Sequence, residues 1–333
     1  MSRGIAALYR AVYGGFLRRL PESTAIAVGQ AALRALPLDR LPLFRLDDLT
    51  LAVRLGGVPL PNPLILAAMY YDPVILRRAM GLGFGAVTTK SITLNPRPVH
   101  PQPNLVRIET AAGAGFVNCN GFHNPGLVAF MRELRGLPHR VPLIVSVAGE
   151  SIEDYVRLVS AVAPHADLVE FNVSSPNTKQ VYDWSRRSDE LARLFESVRA
   201  AASVPLIVKL SPDFTEANER GIIPAALAAG INVVNYGNAR RIDEPRLSQG
   251  AGGLSGPEIF PATLANLRRT RQKFGADLDI VATGGVDSAE KAVALLRAGA
   301  TAVSYFTGFV TRGPMLARQI LTRLRADRAC SAR

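Results

Sequence analysis

Residues 168–179, LVEFNVSSPNTK, show a pattern that recurs along this chain and indicates its fold. Its first six residues are mostly apolar, which is typical of a strand buried on both faces. Small hydrogen-bonding residues and a proline follow at once, and they are more numerous than a simple turn requires. The stretch therefore predicts a buried strand whose carboxyl end opens onto a polar site.

The same pattern predicts seven further strands, and helical segments separate most of them. The eight predicted strands are LILAA (64–68), AVTTK (86–90), LIVSV (143–147), LVEFNV (168–173), LIVKL (206–210), VVNYGN (233–238), DIVATGG (279–285) and AVSYFTG (302–308). Strands that are apolar throughout and alternate with helices indicate a parallel sheet. Eight such units within roughly 290 residues predict an α/β fold, a closed (β/α)₈ TIM barrel that spans residues 46–333.

The carboxyl ends of these strands collect polar residues and glycines. The residues concerned are Thr89, Lys90, Ser91, Ser146, Asn172, Lys209, Asn238, Gly284, Gly285, Thr307 and Gly308. In a barrel, strand ends of this kind form one rim, and the active sites of the fold lie there. Any one of them would be compatible with an ordinary turn, but together they predict a single site.

Three glycine-rich segments suggest that this site binds a phosphate: GGLSG (252–256), TGG (283–285) and TGF (307–309). Two of them follow the last two strands, where backbone N–H groups and helix starts bind phosphates in barrels. Lys209, within the apolar segment LIVKL, would be either a Schiff-base nucleophile or a cation that stabilises negative charge on a cofactor. The amide side chains suited to a flat heterocycle with N–H and C=O groups are Asn118, Asn172, Asn177 and Asn238.

Residues 1–45 precede the predicted barrel and form a separate helical extension. Helical spacing of apolar residues predicts one helix at IAALYRAVYGGFLRRL (5–20) and a second at TAIAVGQAALRAL (24–36). The segment is rich in arginine and poor in acidic residues. Two interpretations remain open: a helical pair packed on the barrel, or an amphipathic anchor that turns its arginines toward lipid phosphates.

The composition argues against several other functional classes. The net charge of +12 is spread along the chain without a basic stripe interleaved with aromatic residues, so we expect no nucleic-acid partner. Two cysteines and four histidines form no metal-ligand motif, so we expect no metal, iron–sulfur cluster or disulfide framework. No uncharged apolar run reaches the ~18 residues that a transmembrane helix needs.

Five motifs are specific enough to indicate a family. They are FNVSSPNT (171–178), KLSPD (209–213), GGLSGPEIFP (252–261), ATGGVDSAEKAVALLRAGATAV (282–303) and YFTGFVTRGP (305–314). Together they resemble the motifs of dihydroorotate dehydrogenases, and the similarity extends over nearly the whole predicted barrel. The resemblance implies a barrel that binds FMN and oxidises dihydroorotate to orotate in pyrimidine biosynthesis. In that family a base removes the C5 proton while hydride passes from C6 to flavin N5.

The resemblance also implies roles for individual residues. Ser175 would be the catalytic base, followed by a flexible lid over about residues 178–190. The implied substrate contacts are Lys90, Asn118, Cys119, Asn120, Gly121, Phe122, Asn172, Asn177, Asn238 and Ala239. The implied FMN contacts are Ala67, Ala68, Lys90, Ser91, Ser146, Asn172, Lys209, Gly256, Gly284, Gly285, Phe306 and Thr307.

Features of both branches of this family occur in the chain. The helical extension, and Ser175 where the soluble branch has cysteine, resemble the membrane-associated branch that uses quinone. Lys90 in the triplet TKS (89–91) and the segment NPRPVHPQPNLVRI (95–108) look closer to the soluble branch. Asp72 stands where the membrane branch has a lysine, so we expect Lys90 to supply that cation.

The resemblance thus implies dihydroorotate as the substrate and a quinone as the electron acceptor. It implies a peripheral membrane location, on the cytoplasmic side of the cell membrane or, in a eukaryote, at the mitochondrial inner membrane. One alternative is an FMN-dependent paralogue for another dihydropyrimidine or cyclic amide, motivated by the departures Met69, Tyr70, Tyr71, Cys119 and Asn120. A Schiff-base lyase that uses Lys209 and a flavin-free binding protein are further alternatives.

Overall fold

All eight predicted strands are present in the computed structural model, which describes residues 2–174, 188–213 and 216–331. The strands of the described residues are β1 (Val53–Leu55), β2 (Val58–Leu60), β3 (Leu64–Tyr70), β4 (Ala86–Thr89), β5 (Leu105–Thr110), β6 (Gly113–Asn118), β7 (Leu143–Val147), β8 (Leu168–Asn172), β9 (Leu206–Leu210), β10 (Val233–Tyr236), β11 (Arg240–Asp243), β12 (Ala251–Ser255), β13 (Asp279–Thr283) and β14 (Ala302–Tyr305).

The eight strands predicted from the sequence close into a parallel barrel. Their order around it is β3, β4, β7, β8, β9, β10, β13 and β14, and β14 then pairs with β3. The α-helices are α1 (Ser2–Gly15), α2 (Glu22–Ala35), α3 (Pro73–Met80), α4 (Leu127–Leu134), α5 (Ile152–Val162), α6 (Ser188–Ala201), α7 (Glu216–Ala228), α8 (Phe260–Phe274), α9 (Ala289–Arg297), α10 (Thr307–Arg312) and α11 (Met315–Ser331). The prediction of a (β/α)₈ TIM barrel with an N-terminal helical extension is confirmed.

Side-chain alternation along β8 and β9 explains why apolar strands carry polar groups at one end. On β9, Leu206, Val208 and Leu210 point outward into the core under the helices, whereas Ile207 and Lys209 point into the barrel. Ile207 belongs to an apolar layer at the amino ends of the strands, and Lys209 lies nearer the carboxyl ends. The barrel interior is therefore apolar below and polar above.

A short hairpin closes the lower end of the barrel. Strands β1 and β2 pair antiparallel, and their residues Leu55 and Leu60 are buried against the apolar layer inside the barrel. The backbone N–H of Gly56, in the hairpin turn, donates to Asp279 Oδ2 at 2.7 Å. With the lower end filled, ligands can enter the described barrel from the carboxyl ends of its strands.

A second sheet, which the sequence analysis did not predict, lies at the upper end. Strands β5, β6, β12 and β11 form an antiparallel sheet in that order. The segment GGLSG (252–256), predicted as a phosphate loop, contributes most of β12 instead. A Cβ at Gly252 would lie 2.6 Å from the backbone oxygen of Asn118, so glycine here permits β12 to approach β6 closely.

The N-terminal extension forms the two predicted helices, α1 and α2, and these pack against the barrel. The Tyr9 hydroxyl of α1 donates to the backbone oxygen of Val310 at 2.7 Å. Arg34 of α2 forms an ion pair with Asp72 at 2.8 Å, and the side chain of the preceding residue, Leu33, is buried. Among the helices that the structure describes, none combines the length and apolarity needed to cross a bilayer.

Candidate active site

A cavity opens at the carboxyl ends of the barrel strands, beneath the antiparallel sheet. Sixteen of the residues expected from the sequence line it: Ala67, Ala68, Lys90, Ser91, Asn118, Asn120, Phe122, Asn172, Lys209, Asn238, Ala239, Gly256, Gly284, Gly285, Phe306 and Thr307. They come from elements far apart in the sequence. The structure thus brings most of the predicted rim to one place.

Three of the expected contacts, Cys119, Gly121 and Ser146, are not among the described residues that line the cavity. Cys119 alternates with its cavity-facing neighbours, so its side chain is buried in a small apolar cluster under the sheet. Gly121 has a φ of 66°, and a Cβ there would lie 2.4 Å from His100 Nε2, so it serves the backbone turn. Ser146 is fully buried below the cavity floor.

Two further expectations lie outside the described residues. They are the proposed base Ser175 and the amide Asn177, together with most of the expected lid; residues 188–190 begin helix α6. Ser174, the residue before Ser175, is described and is held by two hydrogen bonds. Its backbone N–H donates to Asn172 Oδ1 at 3.2 Å and its hydroxyl donates to the backbone oxygen of Lys209 at 3.0 Å.

The floor of the cavity rests on a buried carboxylate that sequence reasoning missed. Glu170 is only 1% exposed, and its Oε1 accepts from the Lys209 ammonium at 3.2 Å and from the Ser146 hydroxyl at 2.9 Å. Its Oε2 accepts from Asn235 Nδ2 at 2.6 Å. An acidic residue inside the apolar strand LVEFN was the available signal, since carboxylates are seldom buried without a partner.

This network extends across the barrel interior on both sides of Glu170. On one side Ser146 and Ser91 share a hydroxyl–hydroxyl contact of 2.9 Å. On the other side the Thr283 hydroxyl donates to Asn235 Oδ1 at 2.7 Å. Lys209 therefore reaches the cavity with its ammonium already paired, and its direction is fixed from below.

Amide side chains form one wall of the cavity and hold each other in place. Asn238 Nδ2 donates to Asn172 Oδ1 at 3.3 Å and to the backbone oxygen of Ser174 at 3.1 Å. Asn172 Nδ2 lies 3.4 Å from the Ser91 hydroxyl. Groups arranged in this way suit a neutral ring with N–H and C=O edges, because amides offer both donors and acceptors.

Lys90 brings a second cation to the cavity. No hydrogen bond or ion pair joins its ammonium to another of the described residues, and burial lowers its pKa to about 8. Burial, and then the charge of Lys90, also lower the pKa of His123. Asp72, the residue that stands at the expected lysine position, instead caps helix α3 through the Ile75 N–H and pairs with Arg34.

Glycines in the loops after β13 and β14 let the backbone line the cavity directly. Gly285 has a φ of 77°, and a Cβ there would lie 2.4 Å from Phe260 Cβ. At Gly308, a Cβ would lie 2.2 Å from the backbone oxygen of Val286. The nearby carboxylate of Asp287 is neutralised by Lys291 at 2.9 Å and Arg312 at 3.1 Å.

A second cavity, the N-terminal groove, lies between the helical extension and the barrel. Its lining includes Tyr9, Val12, Tyr13, Phe16, Ile26, Arg34, Tyr71, Arg107, His123 and Val310. Met69, Lys90, Phe116, Asn120 and Phe306 line both this groove and the first cavity. The two cavities therefore share a wall.

Comparison with known proteins identifies the family. The family model for dihydroorotate dehydrogenase matches residues 50–327. The dihydroorotate dehydrogenase (quinone) of Cereibacter sphaeroides (strain KD131 / KCTC 12085) is 35% identical over 325 residues, 93% of this chain and 90% of that protein. The dihydroorotate dehydrogenase B (NAD(+)), catalytic subunit, of Pyrococcus abyssi (strain GE5 / Orsay) is 32% identical over 278 residues, 81% of this chain and 91% of that protein.

A solved structure agrees with these relatives. The crystal structure of DHODH in complex with ferulenol from Eimeria tenella superposes with a TM-score of 0.82 and 25% identity, covering 94% of this chain and 93% of that chain. The barrel, the cavity at its carboxyl end and the helical extension thus occur in a sequence that matches the family model over most of its length. The chain belongs to the dihydroorotate dehydrogenase family.

Proposed function

We propose that this protein oxidises dihydroorotate to orotate with bound FMN and passes the electrons to a quinone. The observation that carries the proposal is the convergence of three features on one cavity. They are a paired lysine on the floor, a wall of asparagine amides and a glycine-lined rim. The three features would serve different parts of the reaction, and they come from different parts of the barrel.

The described residues fit FMN. The backbone at Gly284, Gly285 and Gly308 lines the cavity where Cβ atoms would collide with neighbouring atoms, which suits close approach by a phosphate. Lys209 would lie against the isoalloxazine ring of FMN, and Ser91 and Thr307, which also line the cavity, would make polar contacts with the cofactor. When bound, FMN supplies the two-electron acceptor that oxidation of the substrate requires.

The substrate would lie against the amide wall. Asn118, Asn172 and Asn238 would orient the pyrimidine ring through its N–H and C=O groups. Lys90 would bind the substrate carboxylate, since its ammonium has no partner among the described residues whereas that of Lys209 is paired. Ser175 would take the proton, and the bonds that hold Ser174 fix the chain immediately before that base.

The N-terminal groove would bind the quinone. It is mostly apolar, and Arg107 is among its lining residues, so the guanidinium would lie beside a quinone bound there. The relative named for quinone matches 93% of this chain, against 81% for the relative named for NAD(+). We assign residues 1–45 to this acceptor segment and residues 46–333 to the FMN-binding barrel.

Exposed apolar side chains of the extension would contact a membrane surface. Leu8 is 65% exposed and Phe16 is 56% exposed, and both lie on the helical extension that borders the groove. A double substitution of these two residues to glutamate should abolish sedimentation with liposomes that contain anionic lipids. Leu49→Glu is the matched control, because Leu49 is 93% exposed but lies outside α1 and α2. Unchanged sedimentation of the double variant would remove the membrane assignment.

Anaerobic mixing with dihydroorotate tests the proposed reaction. The purified protein should be yellow, and its flavin absorbance should bleach on mixing and return when a short-chain quinone is added. Dihydrouracil, which lacks the carboxylate, is the comparison substrate, and faster bleaching by it would favour the paralogue for another cyclic amide. The proposal would be refuted if the purified protein were colourless and did not bind added FMN.

The Schiff-base alternative fits the site less well. A Schiff-base lysine must turn its amine toward a carbonyl carbon, whereas the Nζ of Lys209 is held by Glu170 at 3.2 Å below the cavity. Borohydride in the presence of carbonyl substrates should therefore not label Lys209.

A further inference from the structure

The carboxylate of Glu170 lies one layer below the candidate active site. It is not among the described residues that line the cavity, whereas Lys209, its ion-pair partner, is. Both of its oxygens accept hydrogen bonds, from donors on three strands: Ser146 on β7, Lys209 on β9 and Asn235 on β10. A carboxylate that is buried and hydrogen-bonded from three strands is held in one position.

We propose that Glu170 is a positioning residue that sets the reduction potential of the flavin through Lys209, an inference that rests on the proposed FMN site. Glu170 holds the ammonium at the cavity floor and balances its charge. The flavin would therefore rest above a neutral ion pair rather than above an isolated cation. An isolated cation would stabilise the negative charge of the reduced flavin and raise its potential.

The balance matters because the reaction has two halves. The flavin must accept electrons from the substrate and then give them up to the acceptor in the neighbouring groove. An excess of positive charge at the cavity floor would favour reduction of the flavin by the substrate and hinder its reoxidation by the acceptor. Glu170, as a full negative charge 3.2 Å from the ammonium, keeps the potential low enough for the second half.

The purified holoenzyme tests this directly, by dye-equilibrated anaerobic reduction. Glu170→Gln removes the charge and keeps the shape of the side chain, so it should shift the equilibrium toward reduced flavin at least tenfold, about 30 mV upward for a two-electron couple. Lys209→Gln leaves the carboxylate uncompensated and should shift the potential in the opposite direction. General damage to the site would not produce two shifts of opposite sign.

Glu170→Asp separates charge from shape and covers the case in which Glu170→Gln does not fold. It keeps the negative charge, so the potential should stay within about threefold of wild type in equilibrium terms. A tenfold shift in this variant, or no shift in a folded Glu170→Gln holoenzyme, overturns the inference. Failure of the wild-type protein to bind FMN would instead refute the proposed function, so the two failures are distinguishable.

Discussion

Binding of a carboxylate ligand should weaken as the pH rises through the pKa of Lys90. Burial lowers that pKa to about 8, so the ammonium is the charged partner available at neutral pH and is lost above it. The charged fraction falls from about nine-tenths at pH 7 to about one-tenth at pH 9. If the ligand carboxylate needs the ammonium, its apparent Kd should therefore rise about tenfold over this range.

The assay is a titration of the oxidised enzyme with orotate, followed by the perturbation of the flavin spectrum at several pH values. Lys90→Met should bind orotate about 30-fold or more weakly at pH 7, the usual cost of removing one partner of a buried charge pair, and its Kd should be flat between pH 7 and 9. Lys273→Met is the matched control, because Lys273 is exposed and distant in the fold from the cavity lining. A flat profile in the wild type, or the wild-type slope in Lys90→Met, would refute the assignment of Lys90.

Three further results are expected. Ser175→Ala should slow flavin reduction by dihydroorotate about 10²-fold or more in stopped flow, while Ser160→Ala, on the exposed face of α5, should match wild type; equal rates would exclude Ser175 as the base. Gly285→Ala should lose FMN during gel filtration, because its Cβ would lie 2.4 Å from Phe260 Cβ at a φ of 77°, whereas Gly136→Ala, with open space around it, should retain FMN. Arg107→Met should reduce quinone turnover at least tenfold while dihydroorotate still bleaches the flavin, and loss of both half-reactions would contradict its place in the N-terminal groove.

Much of the barrel and its rim could be predicted because the controlling interactions are local or periodic. A strand buried on both faces is apolar over its whole length, and such a run is visible in LIVSV or LIVKL without any knowledge of neighbours. The glycines after β13 could be placed at the rim once the position of that strand was predicted. Lys209 was conspicuous as a cation within an apolar segment.

The antiparallel sheet and the side of the turn on which Cys119 lies were not predictable in the same way. The sheet combines two segments that lie more than a hundred residues apart, β5–β6 and β11–β12. Their pairing depends on contacts between the segments, which cannot be recognised in either segment alone. Cys119 and Asn120, which directly follow β6, are adjacent in the sequence, but Cys119 is buried in an apolar cluster while Asn120 lines the cavity, and the sequence alone does not distinguish them.

The eight-stranded parallel barrel, the helical extension and the polar residues at the strand ends follow from the sequence alone, because strand periodicity and turn chemistry depend on consecutive residues. The three-dimensional fold was needed to see which of those residues share a cavity, that Glu170 pairs with Lys209 from below, and that Lys90 lines both cavities. Ion pairing and burial depend on distances across the barrel between residues far apart in the chain. Such distances are set when the strands close on one another, and no single stretch of sequence contains them.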